Sequence, residues 1–247
     1  MLPRLIIFDL DSTLAYSKQP LEDEMAALLE TLLEQTQVGI MSGASWEQYQ
    51  AQVLPYLTPQ TKRNKLLLAP TSGAAMYVYK QDTWEVAYSC AFTEKEVQEI
   101  RNAFTTALTQ TGFDPDTPSY GPRIGNRETQ VSFSALGQEA PLEKKKVWDP
   151  DHKKRETIVS HLTPLLPRFD IHIGGTTSID ITRRGIDKAY GIRQMCCHTG
   201  IPINEMLYVG DALYEGGNDA AVFETGIATH GVESPKDTTS FIQSLLV

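Results

Sequence analysis

Asp9 and Asp11 stand one residue apart, with a hydroxyl at Thr13, directly after the apolar run Leu5-Ile6-Ile7-Phe8. Such a run reads as a buried strand of a parallel sheet. Open α/β sheets bind ligands beyond the carboxyl ends of their strands, so the pair puts two carboxylates where such a fold carries its chemistry. Three other uses of the Asp-x-Asp spacing fail on the neighbouring residues. An EF-hand loop starting at Asp9 requires Gly at its sixth position and Glu at its twelfth, and these are Leu14 and Pro20. The chain has no Gly-x-x-x-x-Gly-Lys-Ser/Thr phosphate loop and no Gly-x-Ser-x-Gly nucleophile elbow.

The elements that must position these acids follow in order. Residues 22–35 carry Met25, Leu28, Leu29, Leu32 and Leu33 at helical spacing. Residues 37–41 form a second strand that ends on Ser42-Gly43, and Ser45 with Gln48 makes a capping box for a helix over 46–54. A third strand covers 65–69, and 76–79 is extended. After Lys80 the strand–helix alternation breaks. Extended 84–92, a helix over 94–110, a strand pair over 123–136, a helix over 151–165 and strands at 169–173 and 178–181 describe an α+β unit with an antiparallel sheet. The first pattern resumes with a helix over 188–198, a strand over 206–209 ending on Gly210-Asp211, a strand near 226–229 and a closing helix from Pro235. The expected fold is α/β: a Rossmann-like, doubly wound parallel sheet with an inserted α+β cap. The expected core is discontinuous, 1–82 and 186–247, with the cap at 83–185.

The 247 residues suffice for one large or two modest domains, and 41% hydrophobic with 21% charged residues is ordinary for a globular chain. No apolar run has the length of a membrane helix, and no signal-peptide pattern precedes the first strand. Cys90, Cys196 and Cys197 give neither a disulfide framework nor a zinc spacing, and the five histidines show no metal-ligand spacing. These features point to the cytoplasm and away from a membrane. A net charge of -9 argues against a general nucleic-acid binder.

Four motifs recur in a fixed order: Asp9-Leu10-Asp11-Ser12-Thr13, Ser42 in Met41-Ser42-Gly43, Lys188 in Gly185-Ile186-Asp187-Lys188, and Gly210-Asp211 with Gly217-Asn218-Asp219. The chain resembles the haloacid dehalogenase-type phosphatase superfamily, with Ser12 where many members have Gly. The resemblance implies Mg²⁺ held by Asp9, the main-chain carbonyl of Asp11 and Asp211, with Asp219 or Asn218 as outer support. It implies nucleophilic attack by Asp9 to form an aspartyl-phosphate, and acid–base work by Asp11. Ser42, with Gly43 and Thr13 beside the substrate, would hold the phosphoryl group. Lys188 would neutralise charge.

The position of the insertion resembles the subgroup with an α/β cap, and within it eukaryotic-type phosphomannomutases. The similar segments are Asn126-Arg127, Val131 to Gly137, Trp148 to Arg155, Gly174-Gly175-Thr176-Thr177-Ser178-Ile179-Asp180 and Gly216 to Asp219. That family grips a distal sugar phosphate with cap arginines and a serine. Arg127 and Ser178 match those positions, whereas Gln138 replaces one arginine and Lys144 or Lys145 stands near a third. Arg and Lys are not interchangeable in a bidentate grip. A mutase must hold a bisphosphorylated intermediate in two orientations, and a phosphatase needs only the catalytic site. The expectation is therefore a phosphatase for a small sugar phosphate, with a hexose-phosphate mutase as the alternative and a non-catalytic sugar-phosphate sensor as a second one. The resemblance also implies dimerisation through the caps.

Overall fold

The computed structural model describes residues 2–114, 117–174 and 176–246; Gly175 of the glycine-rich cap segment lies outside them. The strands are β1 (Leu5–Phe8), β2 (Gln37–Met41), β3 (Leu66–Ala69), β4 (Ala75–Lys80), β5 (Thr83–Ser89), β6 (Ile124–Asn126), β7 (Val131–Ser134), β8 (Phe169–Gly174), β9 (Ser178–Arg183), β10 (Met206–Gly210) and β11 (Ala228–Gly231). Two compact units result. One comprises Met1–Ser89 and Ile186–Val247, the other Cys90–Gly185.

The first unit is built on a seven-stranded sheet in the order β11-β10-β1-β2-β3-β4-β5. Strands β11 to β3 are parallel, and β4 and β5 extend the sheet antiparallel. Alternation along β1 divides its side chains between two buried clusters. Ile6 and Phe8 join Leu29 and Leu33 of the helix Asp23–Gln35 and Ile242 of the helix Pro235–Leu246. Leu5 and Ile7 join Ile192 and Met195 of the helix Lys188–Thr199. Helices thus cover both faces of the sheet, as the doubly wound reading requires, and the ends of β1, β2 and β10 are left to carry polar groups.

The boundary of this unit differs from the expected one. The break in alternation after Lys80 is a hairpin, not a change of domain. Strand β5 pairs with β4 from Lys80↔Thr83 to Ala75↔Ser89, across a bulge at Met76/Tyr77. The Trp84 ring meets Tyr79 edge-on at 5.3 Å. The chain therefore leaves the unit after Ser89, seven positions beyond the expected Asp82.

The second unit has an antiparallel sheet in the order β6-β7-β9-β8. Ile100 and Phe104 of the helix Glu94–Gln110 and Ile158 and Leu162 of the helix Lys153–Leu162 pack with Val131, Phe133, Ile179 and Ile181. A Thr93–Glu96 capping box starts the first of these helices. An additional helix, Leu142–Trp148, has no counterpart in the sequence reading. Arg155 is fully buried. Its Nε donates to Asp149 Oδ2 at 2.8 Å, and its Nη atoms donate to the Gly174 and Asp149 carbonyls. Most of the lysine run is tethered locally: Lys144 to the Tyr120 hydroxyl, Lys145 to the Gln138 carbonyl, Lys154 to the Trp148 carbonyl and Lys153 to Asp151.

Candidate active site

Strand β1 delivers Asp9 at its carboxyl end, where the Asp9 amide donates to the Val209 carbonyl at 2.9 Å. The neighbouring strand β10 delivers Gly210 and then Asp211. Lys188 opens the helix Lys188–Thr199, which Asp187 caps by accepting the Tyr190 amide at 2.8 Å. Asp9 is 2% exposed and Lys188 1%. The Lys188 ammonium donates to Asp9 Oδ1 at 2.5 Å, to the Tyr208 hydroxyl at 2.9 Å and to Asp219 Oδ1. The Tyr208 hydroxyl donates to Asp219 Oδ1 at 2.7 Å, and the Ala212 amide donates to Asp219 Oδ2 at 3.0 Å. This close packing requires Gly210. A Cβ there would lie 2.4 Å from Asp219 Oδ2 and 2.9 Å from Tyr208 Cε1.

Burial pushes the Asp9 carboxyl up, Lys188 pulls it down, and Asp219 and Asp211 push it up again, leaving it at about 7. Burial works to lower Lys188, but Asp9 and Asp219 outweigh it and hold the ammonium above the ordinary lysine value. Asp211 is raised by burial and by Asp219. The Tyr208 phenol is raised well above its usual value by burial and then by Asp9 and Asp219, so it stays protonated. Asp9, Asp211 and Asp219 each offer an oxygen, and these atoms all lie within 4.8 Å of one another. Three carboxylates face one ammonium here. An all-oxygen set with excess negative charge suits a hard divalent cation.

Asp11 is half-buried, and its Oδ1 accepts the Lys18 amide at 2.7 Å. The loop reaches this bond through left-handed residues Ser12 and Lys18 (φ 65° and 59°). Ser12 thus adopts at this site a conformation that glycine takes more readily. Thr13, expected beside the substrate, binds a carboxylate here. It is fully buried, and its hydroxyl donates to Asp211 Oδ1 at 3.2 Å, so it orients a carboxylate of the acidic cluster. Asn218 is exposed, next to the buried Asp219 in the loop after β10. Asp219 itself accepts from Lys188, Tyr208 and Ala212, which fits it for outer support.

Ser42 ends β2, buried, and its Oγ accepts from the Ala44 amide at 3.0 Å and from the Tyr49 hydroxyl at 3.4 Å. Gly43 beside it is exposed. The turn Pro70–Gly73 holds this loop in place. Thr71 donates its amide to the Ala44 carbonyl, and Ser72 to the Ser42 carbonyl. Both lie in the left-handed region (φ 48° and 57°), which is costly for non-glycine residues and recurs at functional sites.

Asp9, Lys188, Asp211 and Asp219 are brought together in the first unit, with Thr13 bound to Asp211. Arg127 and Ser178 belong to the second unit. Arg127 is exposed in the turn between β6 and β7, and Ser178 opens β9 opposite Ser134. The Gln138 amide donates to the Arg123 and Ser132 carbonyls, both at 3.3 Å. Two residues of the site escaped the sequence reading: Tyr208, inside a strand taken as apolar, and Tyr49, behind Ser42. A buried phenol has to find a hydrogen-bond partner, and Tyr208 lies two residues before Gly210, on the same strand face; that spacing was the available signal.

The family model for eukaryotic phosphomannomutase matches residues 25–247. The matched stretch begins after Thr13, so Asp9 and Asp11 enter the site on the geometry above. The chain is 25% identical to a phosphomannomutase from Spinacia oleracea over 241 residues, covering 95% of this chain and 92% of that protein. It is 27% identical to a phosphomannomutase from Nicotiana benthamiana over 247 residues, covering 96% and 92%. Among solved structures, C-terminally truncated IMP-nucleotidase from Plasmodium falciparum is similar, with TM-score 0.71 and 17% identity over 99% of this chain and 71% of that one. The C-terminal domain of trehalose-6-phosphate phosphatase from C. albicans gives TM-score 0.65 and 15% identity, covering 99% and 92%. At these identities the two structures speak to the fold alone.

Proposed function

The chain belongs to the eukaryotic phosphomannomutase family, and from that premise we propose that it is a Mg²⁺-dependent enzyme that moves the phosphoryl group of a hexose phosphate through Asp9. The observation that carries this reading is the set of buried Asp9, Lys188 and Asp219 with half-buried Asp211 near the ends of β1 and β10. Asp9, Asp211 and the Asp11 carbonyl would hold the cation, with Asp219 and Asn218 behind them. When bound, Mg²⁺ would offset the negative charge of the phosphoryl group and its nucleophile.

The chain's own residues supply the remaining steps. Attack requires Asp9 as a carboxylate, and burial opposes that state. The Lys188 ammonium at 2.5 Å favours it. The Asp9 oxygen forms a bond to phosphorus as the bond from phosphorus to the sugar oxygen breaks, and Asp11 gives that oxygen a proton. An incoming oxygen then takes the phosphoryl group from Asp9, and Asp11 recovers the proton. Ser42 donates to a phosphoryl oxygen, held in place by the Ala44 amide and Tyr49. In phosphoryl transfer such positioning and electrostatics carry most of the catalysis.

The incoming oxygen distinguishes two readings. Family membership supports a sugar hydroxyl, hence a hexose-phosphate mutase. Hydrolysis of a sugar phosphate is the second reading, and Gln138 favours it. In place of an arginine stands a neutral amide that already donates to two main-chain carbonyls. A charge-assisted hydrogen bond is roughly twice as strong as a neutral one, so the hold on a second phosphate is weaker.

The deciding experiment incubates the protein with hexose 1-phosphate, Mg²⁺ and a hexose bisphosphate activator, and measures isomerised sugar phosphate against inorganic phosphate. An excess of isomer supports the mutase. An excess of inorganic phosphate supports the phosphatase, and Gln138→Arg should then move the ratio toward isomer. Absence of both products would leave a non-catalytic sensor.

A further inference from the structure

We propose that Tyr208 is a positioning residue for Lys188, holding its ammonium against Asp9; the inference rests on the phosphoryl-transfer reading. An ammonium has three protons and no acceptor capacity. Here one proton goes to Asp9 Oδ1 and another to Asp219 Oδ1, and the Tyr208 hydroxyl accepts a third at 2.9 Å. The phenol has one proton, and it goes to Asp219 Oδ1 at 2.7 Å.

The arrangement has a consequence for the role of the lysine. With all three protons committed to protein oxygens, Lys188 places charge at the acids and does not reach out to the substrate. Removing the phenol oxygen would leave one ammonium proton without its acceptor, in a place where both side chains are almost wholly buried. An unmet donor there is costly, and the side chain would regain freedom to leave Asp9. Nothing else on β10 can replace the phenol. Met206 and Gly210, the other residues on that face of the strand, have no hydroxyl. A purely structural role predicts otherwise. Tyr208 belongs to a buried apolar cluster with Ile7, Met195 and Ile227, and phenylalanine would fill nearly the same volume.

The test is Tyr208→Phe in the full chain with Mg²⁺. Partners that orient a catalytic group typically matter by about 10- to 100-fold, and kcat should fall by that factor. KM for hexose 1-phosphate should hold within about twofold, with the thermal midpoint little changed. A second readout needs no turnover. Nitrogen-15 NMR of the lysine side chains should show one slowly exchanging ammonium, assigned to Lys188 by its loss in Lys188→Met, and that signal should shift or broaden away in Tyr208→Phe. An unchanged kcat together with an unchanged Lys188 signal overturns the inference, as does a wild-type protein with no protected ammonium. So does a drop in kcat matched by a large loss of stability. Should the wild type turn over no hexose phosphate, the phosphoryl-transfer reading fails, and the ammonium signal still decides the role of Tyr208.

Discussion

Replacing Lys188 by methionine keeps most of the side-chain volume and removes the one cation bonded to the acidic cluster among the described residues. Asp9 and Asp219 would remain 2% and 0% exposed, with Asp211 beside them. Removing one partner of a buried ion pair typically costs about 3–5 kcal/mol, because the other charge is stranded. In metal-free protein the loss should depend on pH, with a sign fixed by Asp9. Its folded value of about 7 exceeds the ordinary 3.8, so between these values the folded state binds more protons than the unfolded one. Stability from this group therefore falls as pH rises through that window. Without Lys188 the carboxyl should move higher still. The deficit of the variant should then be largest near about pH 7.5 and smaller near about pH 5.5. Mg²⁺ stabilises whichever folded protein binds it, and because the cluster without Lys188 carries more negative charge and should bind the cation more tightly, saturating Mg²⁺ should narrow the deficit. The assay is urea unfolding in a Trp148→Phe background, where Trp46 and Trp84, both in the first unit, report. A loss below about 1 kcal/mol in metal-free protein near neutral pH would refute this account of the buried pair. So would a deficit that grows on acidification.

Arg155→Met should destabilise the second unit by about 3–5 kcal/mol, followed through Trp148 fluorescence in urea, because it strands the buried Asp149. Burial pushes the Asp149 carboxyl up, but Arg155 and the amides of Lys154 and Arg155 hold it below its ordinary value. Its stabilisation should therefore persist at neutral pH and fade as pH falls below the usual carboxylate range. Thr13→Val removes the hydroxyl that donates to Asp211. It should raise the Mg²⁺ concentration for half-maximal activity by about 10- to 100-fold and leave KM for the sugar phosphate unchanged. A raised substrate KM with normal Mg²⁺ dependence would return Thr13 to the substrate side.

The parts of the site legible in the sequence were those fixed by strand ends. Asp9, Ser42 and Asp211 each follow an apolar run, and a parallel sheet brings such ends together whatever their separation in the chain. Lys188 was readable as the first residue of a helix behind Asp187. The bond from Thr13 to Asp211 was not legible, because the spacing says Thr13 lies near the carboxylates but not which way its proton points. Tyr208 was hidden by hydrophobicity, since one hydroxyl in an apolar strand leaves the pattern intact. The hairpin β4–β5 was misassigned because antiparallel, aromatic-rich strands look alike in a core edge and in a cap. The chemistry was read less well than the fold. The replacement at Gln138 put hydrolysis first, whereas family membership supports the mutase more strongly. The structure adds only that the Gln138 amide is already engaged.

The central claim is that Asp9 accepts the phosphoryl group. Its most direct test is the intact mass of the enzyme quenched in acid within the first turnovers with hexose 1-phosphate and Mg²⁺, followed by peptide mapping. The account predicts an adduct of one phosphoryl group on the peptide that contains Asp9, absent without Mg²⁺ and absent in a folded Asp9→Asn protein. Turnover by Asp9→Asn, or an adduct mapped to any other residue, would contradict it.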